Sequence, residues 1–229
     1  MPIVLTPNVA STTRAIAFDD MVDDISPYVP GCPDPVIART IHKVVIDLCQ
    51  RAKVWHEDFL PVDLEVGRVA YPLSPPVAHA VCTDITGGYT LVNGVKTELT
   101  WQKLTAVKLR YPSWPEDTSG TVRYITSATI GEALVAPVPD VAGTLNLRGY
   151  LRPSPTASVW DANLYDEFHR VIFHGTLYDL MLMNGRAWAE AKLGAVHGRQ
   201  WTQLLAAARD RALRGYNADE LSVAMRPFA

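Results

Sequence analysis

The sequence predicts an α+β fold: a helical bundle of about three long helices with an inserted antiparallel β-sandwich or barrel-like domain. Proline placement is the first reason. Ten of the 17 prolines fall between Pro61 and Pro155, and none falls between Val36 and Leu60 or between Thr156 and Arg226. Proline lacks an N–H and clashes with the preceding turn, so helices run where it is missing. The second reason is periodicity, which is helical in the two proline-free stretches and alternating in the stretch between them. Size is the third: 229 residues, 48% of them hydrophobic, suffice for a real core and exclude global disorder.

Residues 1–33 read as irregular, with Asp19, Asp20, Asp23 and Asp24 forming an acidic turn and prolines from Pro27 to Pro33 kinking the connection. Asp34-Pro35 reads as a helix start, Asp as N-cap and Pro at the first helical position. Ile37, Ile41, Val44, Val45, Leu48, Ala52 and Trp55 then form one apolar stripe, placing the first helix over 35–56.

From residue 57 the period changes. Val62, Leu64 and Val66 alternate, and Val69, Tyr71 and Leu73 continue after Gly67-Arg68 as a hairpin would. Val77, His79 and Val81 suggest another strand. Gly87-Gly88 and Asn93-Gly94 bracket Tyr89–Val92, and both dipeptides favour tight hairpin turns. A short helical turn carrying Trp101 is expected over Glu98–Leu104, a loop at Tyr111–Pro115, and strands near 121–126, 130–136 and 145–151.

Helix resumes after Pro155. Leu164, Phe168, Val171, Ile172, Gly175, Tyr178, Asp179 and Leu182 keep helical spacing, with Asp161 or Asn163 as cap and Asn184-Gly185 as terminator. A last helix over 188–215 has the apolar line Leu193, Val196, His197, Trp201, Leu204, Leu205, Ala208 and Ala212. Gly194 and Gly198 leave one flank nearly flat for another helix to approach. Residues 216–229 show no strong period and end in the apolar-basic tip Arg226–Ala229. The organisation is therefore an N-terminal arm and first helix (1–56), an inserted β domain (57–155), a helical hairpin (156–216) and a C-terminal segment (217–229).

Composition narrows the function. A net charge of −3 and a pI near 6.1 argue against nucleic-acid binding by charge. Cys32, Cys49 and Cys82 have no CxxC spacing, which argues for buried thiols over a disulfide framework or zinc site. Met1–Ala10 does not read as a signal peptide, and no apolar stretch approaches the ~20 residues that span a bilayer; a soluble protein, cytoplasmic when made, is expected. No HExxH, GxSxG or GxxxxGK[ST] motif occurs, and His169 and His174, five apart, sit off a common helix face. No catalytic residue, metal or cofactor is expected. The six tryptophans are scattered and read as core or junction residues. Charge is uneven along the chain: residues 185–216 carry six bases and two acids, a net of +4, while residues 1–34 carry one arginine and five acids, a net of −4. Opposed ends of this kind can orient neighbouring copies.

The order of features resembles the head-to-tail adaptor (connector) proteins of tailed bacteriophages, the group that includes tail tubular A-like proteins. The resemblance rests on Val29-Pro-Gly-Cys-Pro33, Leu48-Cys-Gln-Arg-Ala-Lys-Val-Trp55, Gly67-Arg-Val-Ala-Tyr-Pro-Leu73 and Thr100-Trp-Gln-Lys-Leu104. It continues through Ala136-Pro-Val-Pro139, Leu145-Asn-Leu-Arg-Gly-Tyr-Leu-Arg-Pro-Ser154, the helical pair after Leu164, and Arg226-Pro-Phe228. What it implies is a structural virion protein at the neck of the particle, a ring of typically twelve copies beneath the portal protein. DNA would pass through its lumen without sequence-specific binding, and a tail-tube or nozzle protein, with tail fibres, would attach below. It assigns portal docking to Met225, Arg226, Pro227 and Phe228. Ring packing is expected at Gly194, Gly198 and Arg209 on one side and Asp19 and Asp20 on the other. A head-completion or tail-terminator ring protein, or a carbohydrate- or host-protein-binding module, stays open as an alternative.

Overall fold

The computed structural model describes residues 15–116, 119–129 and 131–214. Strand β1 (Ala15–Ala17) leads through a 3₁₀ turn into α1 (Val22–Ile25) and a second 3₁₀ turn. This stretch reads as irregular in the sequence, yet Met21, Val22 and Ile25 are buried while Asp19, Asp20, Asp23 and Asp24 point to solvent. Helix α2 (Asp34–Ala52) begins one residue earlier than expected. Asp34 therefore lies inside the first turn and makes no side-chain capping bond; its charge still suits the helix N-terminus. The helix stops at Ala52 because Lys53 turns left-handed (φ 58°) and its N–H returns to Cys49 O.

The β region contains β2 (His56–Asp58), β3 (Val62–Leu64), β4 (Ala70–Pro72), β5 (Ala80–Val92) and β6 (Val95–Trp101), then helix α3 (Leu104–Arg110). Strands β7 (Ser119–Gly120), β8 (Tyr124–Thr126), β9 (Glu132–Ala136), β10 (Val138–Pro139), β11 (Gly143–Pro153) and β12 (Val159–Asp161) follow. Helices α4 (Ala162–Met181) and α5 (Ala191–Leu213) complete the described chain.

A bundle of about three long helices with an inserted antiparallel sandwich or barrel is not what forms. Among the described residues five helices, two of them of 4 and 7 residues, accompany a curled mixed sheet that makes a half-barrel. Its order is β2-β11-β5-β6-β8-β9-β4, with β3 joining β11 beside β2. Strands β6 and β8 run parallel, because the chain crosses over through α3 between them. Alternation of apolar residues reports a buried face and says nothing about strand direction, so the parallel pair was invisible in the sequence. Nor do the helices stand apart as a bundle. Ile37, Ile41, Val45 and Leu48 of α2 share one continuous core with Leu145, Leu147 and Leu151 of β11 and with Ile172, Leu177 and Leu180 of α4. A satellite core of Val107, Trp114, Ala136 and Val138 lies under α3, where Trp114 Nε1–H donates to Val135 O at 3.1 Å.

Three local expectations also fail, each for a physical reason. Gly87-Gly88 is no turn but lies inside the 13-residue β5. A Cβ on Gly88 would sit 2.2 Å from Asn146 O, so the glycine exists to let β11 approach. Asn93-Gly94 does form the β5–β6 turn, with φ of 50° and 78°. Gly67 turns the chain as expected (φ 79°), but β3 pairs with β11 and β4 with β9, so no hairpin results. Trp101 ends strand β6, and the helix begins three residues later.

Candidate interaction surfaces

Helices α4 and α5 form an antiparallel hairpin, and its residues determine how close the two axes come. Asp161 caps α4 by accepting the Asn163 N–H at 2.7 Å. Gly175 sits where a Cβ would meet Trp201 Nε1 and Val44 Cγ1 at 2.7 Å each. Gly198 faces the Tyr178 ring, 2.6 Å from where its Cβ would be, and Gly194 faces Met181 Cβ at 3.2 Å. The flat flank expected from Gly194 and Gly198 is thus turned toward α4 of the same chain. Leu193 and Val196, expected in the packed line, are exposed instead, and α5 packs through Gly194, Trp201, Leu205 and Ala208.

Where α2 crosses this hairpin, a groove of about 1000 Å³ opens. Its floor is Val44, Gly175, Tyr178 and Trp201, and its α5 wall is Ala195, Gly198 and Thr202. The rim is charged and ordered. Lys43 Nζ reaches Asp179 at 2.8 Å, Arg51 reaches Asp47 at 3.2 Å, and the Arg51 guanidinium lies 4.9 Å above the Trp201 ring. Arg199, also on the rim, has no ion-pair partner among the described residues.

The hairpin holds one feature that sequence reasoning missed. His174 and His197 meet across it with their Nδ1 atoms 2.9 Å apart, so one ring donates its N–H and the other accepts. Burial pushes both pKa values below the ordinary histidine value, and for His174 the neighbouring His197 and Arg170 push further. No short-range spacing connects residues 23 apart in sequence; only the α4–α5 register brings them together. His169, by contrast, turns toward Asp24 of α1 at 3.0 Å.

A second cleft, about 330 Å³, lies where β2 meets the start of α4 and is lined by Glu57, Asp161, Asp166 and Glu167. Burial, then the Asp161 charge, raises the Glu57 carboxyl above the usual range. Glu167 pairs with Arg211 of α5. Among the described residues no group of three or more His, Cys, Asp or Glu side chains is arranged to hold a metal ion, and no helix is long and apolar enough to cross a membrane.

Asp19 and Asp20 lie exposed on the 3₁₀ turn after β1, where Asp20 also accepts the Ala17 N–H at 3.1 Å. Arg209 is exposed near the C-terminal end of α5. Met225, Arg226, Pro227 and Phe228 lie outside the described residues. What the described surface offers is therefore binding area: an apolar groove with a charged rim, and acidic and basic patches on different elements.

Comparison with known proteins agrees with that character. No curated protein matches the chain. The family model described as SU10 adaptor protein matches residues 16–227, which is nearly the full length. A family of this kind is structural and generally non-enzymatic, and its members associate with other capsid or tail components. The chain belongs to the SU10 adaptor protein family and is a phage adaptor, a structural component of the virion.

Proposed function

We propose that copies of this chain close into a ring, of twelve in the tail tubular A-like arrangement, seated between the portal protein and the tail. The lumen lets DNA pass without sequence-specific contacts, and the β region presents a platform for a tail-tube or nozzle protein and for fibres. Assembly takes place in the host cytoplasm. Residues Met225, Arg226, Pro227 and Phe228 dock on the portal. The observation that supports this reading is the family match, which spans residues 16–227.

Charge supports the ring geometry. Asp19 and Asp20 on one copy and Arg209 on the next are complementary and exposed, as a head-to-tail contact needs. Gly194 and Gly198 act on the contact indirectly, by drawing α5 down onto α4 and so setting the flank that the neighbour meets. The near-neutral net charge suits a channel that must not grip DNA.

The test is co-expression with a candidate portal followed by electron microscopy. Rings are expected only on portal-bearing particles, with the purified chain monomeric or weakly associated in light scattering. Deleting residues 217–229 should abolish attachment, and unchanged attachment would refute the docking assignment. A stable dodecamer from dilute protein alone would contradict the ordered assembly.

A further inference from the structure

We propose that helix α3 is the contact by which the β region holds the component below it, and that this component presents an acidic face with an apolar socket. The inference rests on the tail-platform role given to the β region above, and it names the place and the partner's chemistry.

The chain needs α3 because β6 and β8 are parallel, and a parallel pair requires a crossover that leaves the sheet. Of the helix's seven residues only Val107 is buried. It belongs to the satellite core with Trp114, Ala136 and Val138, and Leu104 packs against that core. These contacts, with the Trp114 Nε1–H bond to Val135 O, fix the helix base and hold its outer face ready for a partner. Leu109 lies on that outer face at 85% exposure, more than any other large hydrophobic side chain among the described residues. Beside it a cleft of about 240 Å³ is lined by Gln102, Ala106, Val107, Arg110 and Tyr124. A lone exposed leucine is ordinary on a protein surface. One that borders a cleft and is set among cations is a contact point.

The surrounding charge has one sign. Between Leu99 and Pro115 the sequence has Lys103, Lys108 and Arg110 and no acid. Arg123 joins them from just before β8, where its carbonyl accepts the Thr100 N–H at 3.0 Å. All four side chains belong to exposed residues, and none has an ion-pair partner among the described residues. The nearby acid Glu98 is taken by Lys96 at 2.6 Å. Arg110 lies with its guanidinium 4.9 Å over the Tyr124 ring, which orients its planar set of donors for a carboxylate.

An apolar apex among cations has the anatomy of a protein contact. The leucine supplies the dry centre, and the charges set orientation and the rate of encounter. Phosphate backbones are bound by cations alone, so a nucleic acid gives Leu109 nothing to do. The occupant is therefore a protein face with carboxylates around an apolar pocket.

The test uses whole particles assembled with full-length variants of this chain. Lys108→Glu with Arg110→Glu, and separately Leu109→Ser, should leave rings at the portal vertex but cut attachment of the next component at least about tenfold in electron micrographs. Both variants should melt within about 2 °C of the unaltered protein, since only exposed side chains change. Lys192→Glu, an equal charge change on α5, should attach normally. Leu109→p-benzoylphenylalanine, irradiated in assembled particles, should cross-link to a second virion protein within an acidic stretch identified by mass spectrometry. Normal attachment by both α3 variants would overturn the proposal. So would a cross-link to DNA, a cross-link to another copy of this chain, or none. Unaltered particles with no ring at the vertex would take down the platform reading as well, and the same micrographs score that separately.

Discussion

Single side chains set the pH response of this protein. His56, His79, His174 and His197 all have pKa values lowered, in each case mainly by burial. The unfolded chain therefore takes up protons first as pH falls. Stability is complete above the ordinary histidine value of 6.5 and is lost as pH drops below it. The thermal midpoint should be flat from pH 8 to 7 and should fall between pH 6.5 and 5. Replacing His174 with Gln should lessen that slope, since it removes one of the buried rings whose protonation the fold opposes. The thiols give a second readout. Burial raises Cys32, pushes Cys82 up to about 11, and raises Cys49 further still. Alkylation at pH 8 is expected to be slow for the folded protein and fast once denaturant is added. The sequence showed that these thiols form no CxxC site. It could not show the His174–His197 contact, which depends on how two helices are set against each other.

At the scale of elements, glycines in the hairpin separate two kinds of helix position. Gly to Ala inside a helix ordinarily stabilises by about 0.5–1 kcal/mol. At Gly175 the sign should reverse, to a loss of about 1–3 kcal/mol, because the new methyl would collide with Trp201 and Val44. Gly194→Ala meets Met181 Cβ at 3.2 Å and Leu182 Cδ2 and Cγ at 3.4 and 3.6 Å, contacts that need little movement, and should be near neutral. Urea unfolding of the two variants decides between these outcomes. At the other end of α4, Asp161→Ala should cost about 1 kcal/mol through the lost cap to Asn163. The positions of α2, α4 and α5 were legible because each carries an apolar stripe uninterrupted by proline. Strand order was not legible. The Gly87-Gly88 pair looks like a turn in one dimension and becomes a close strand crossing only when β11 is laid beside it.

For the whole molecule, the family and the fold bear on function differently. The order of motifs pointed to a phage adaptor, and the match over 16–227 places the chain in such a family. The architecture expected alongside it was wrong, since the β region is a mixed half-barrel continuous with the helical core. One outcome of that continuity is testable: substitutions in β11, such as Leu147→Ala, should lower the melting of helix and sheet signals together, by about 2–5 kcal/mol in stability. Circular dichroism in the far ultraviolet and tryptophan fluorescence should report one transition.

Strand β11 also constrains how the polypeptide emerges during synthesis. It lies between β5 on one side and β2 and β3 on the other, and its partners were all made 50 or more residues earlier. Until Pro153 has left the ribosome, β2 and β3 have no ladder to join, and α2 has lost the floor it packs on. A nascent chain held at residue 140 should accordingly be protease-sensitive and depend on chaperones, whereas one held past α4 should already resist digestion.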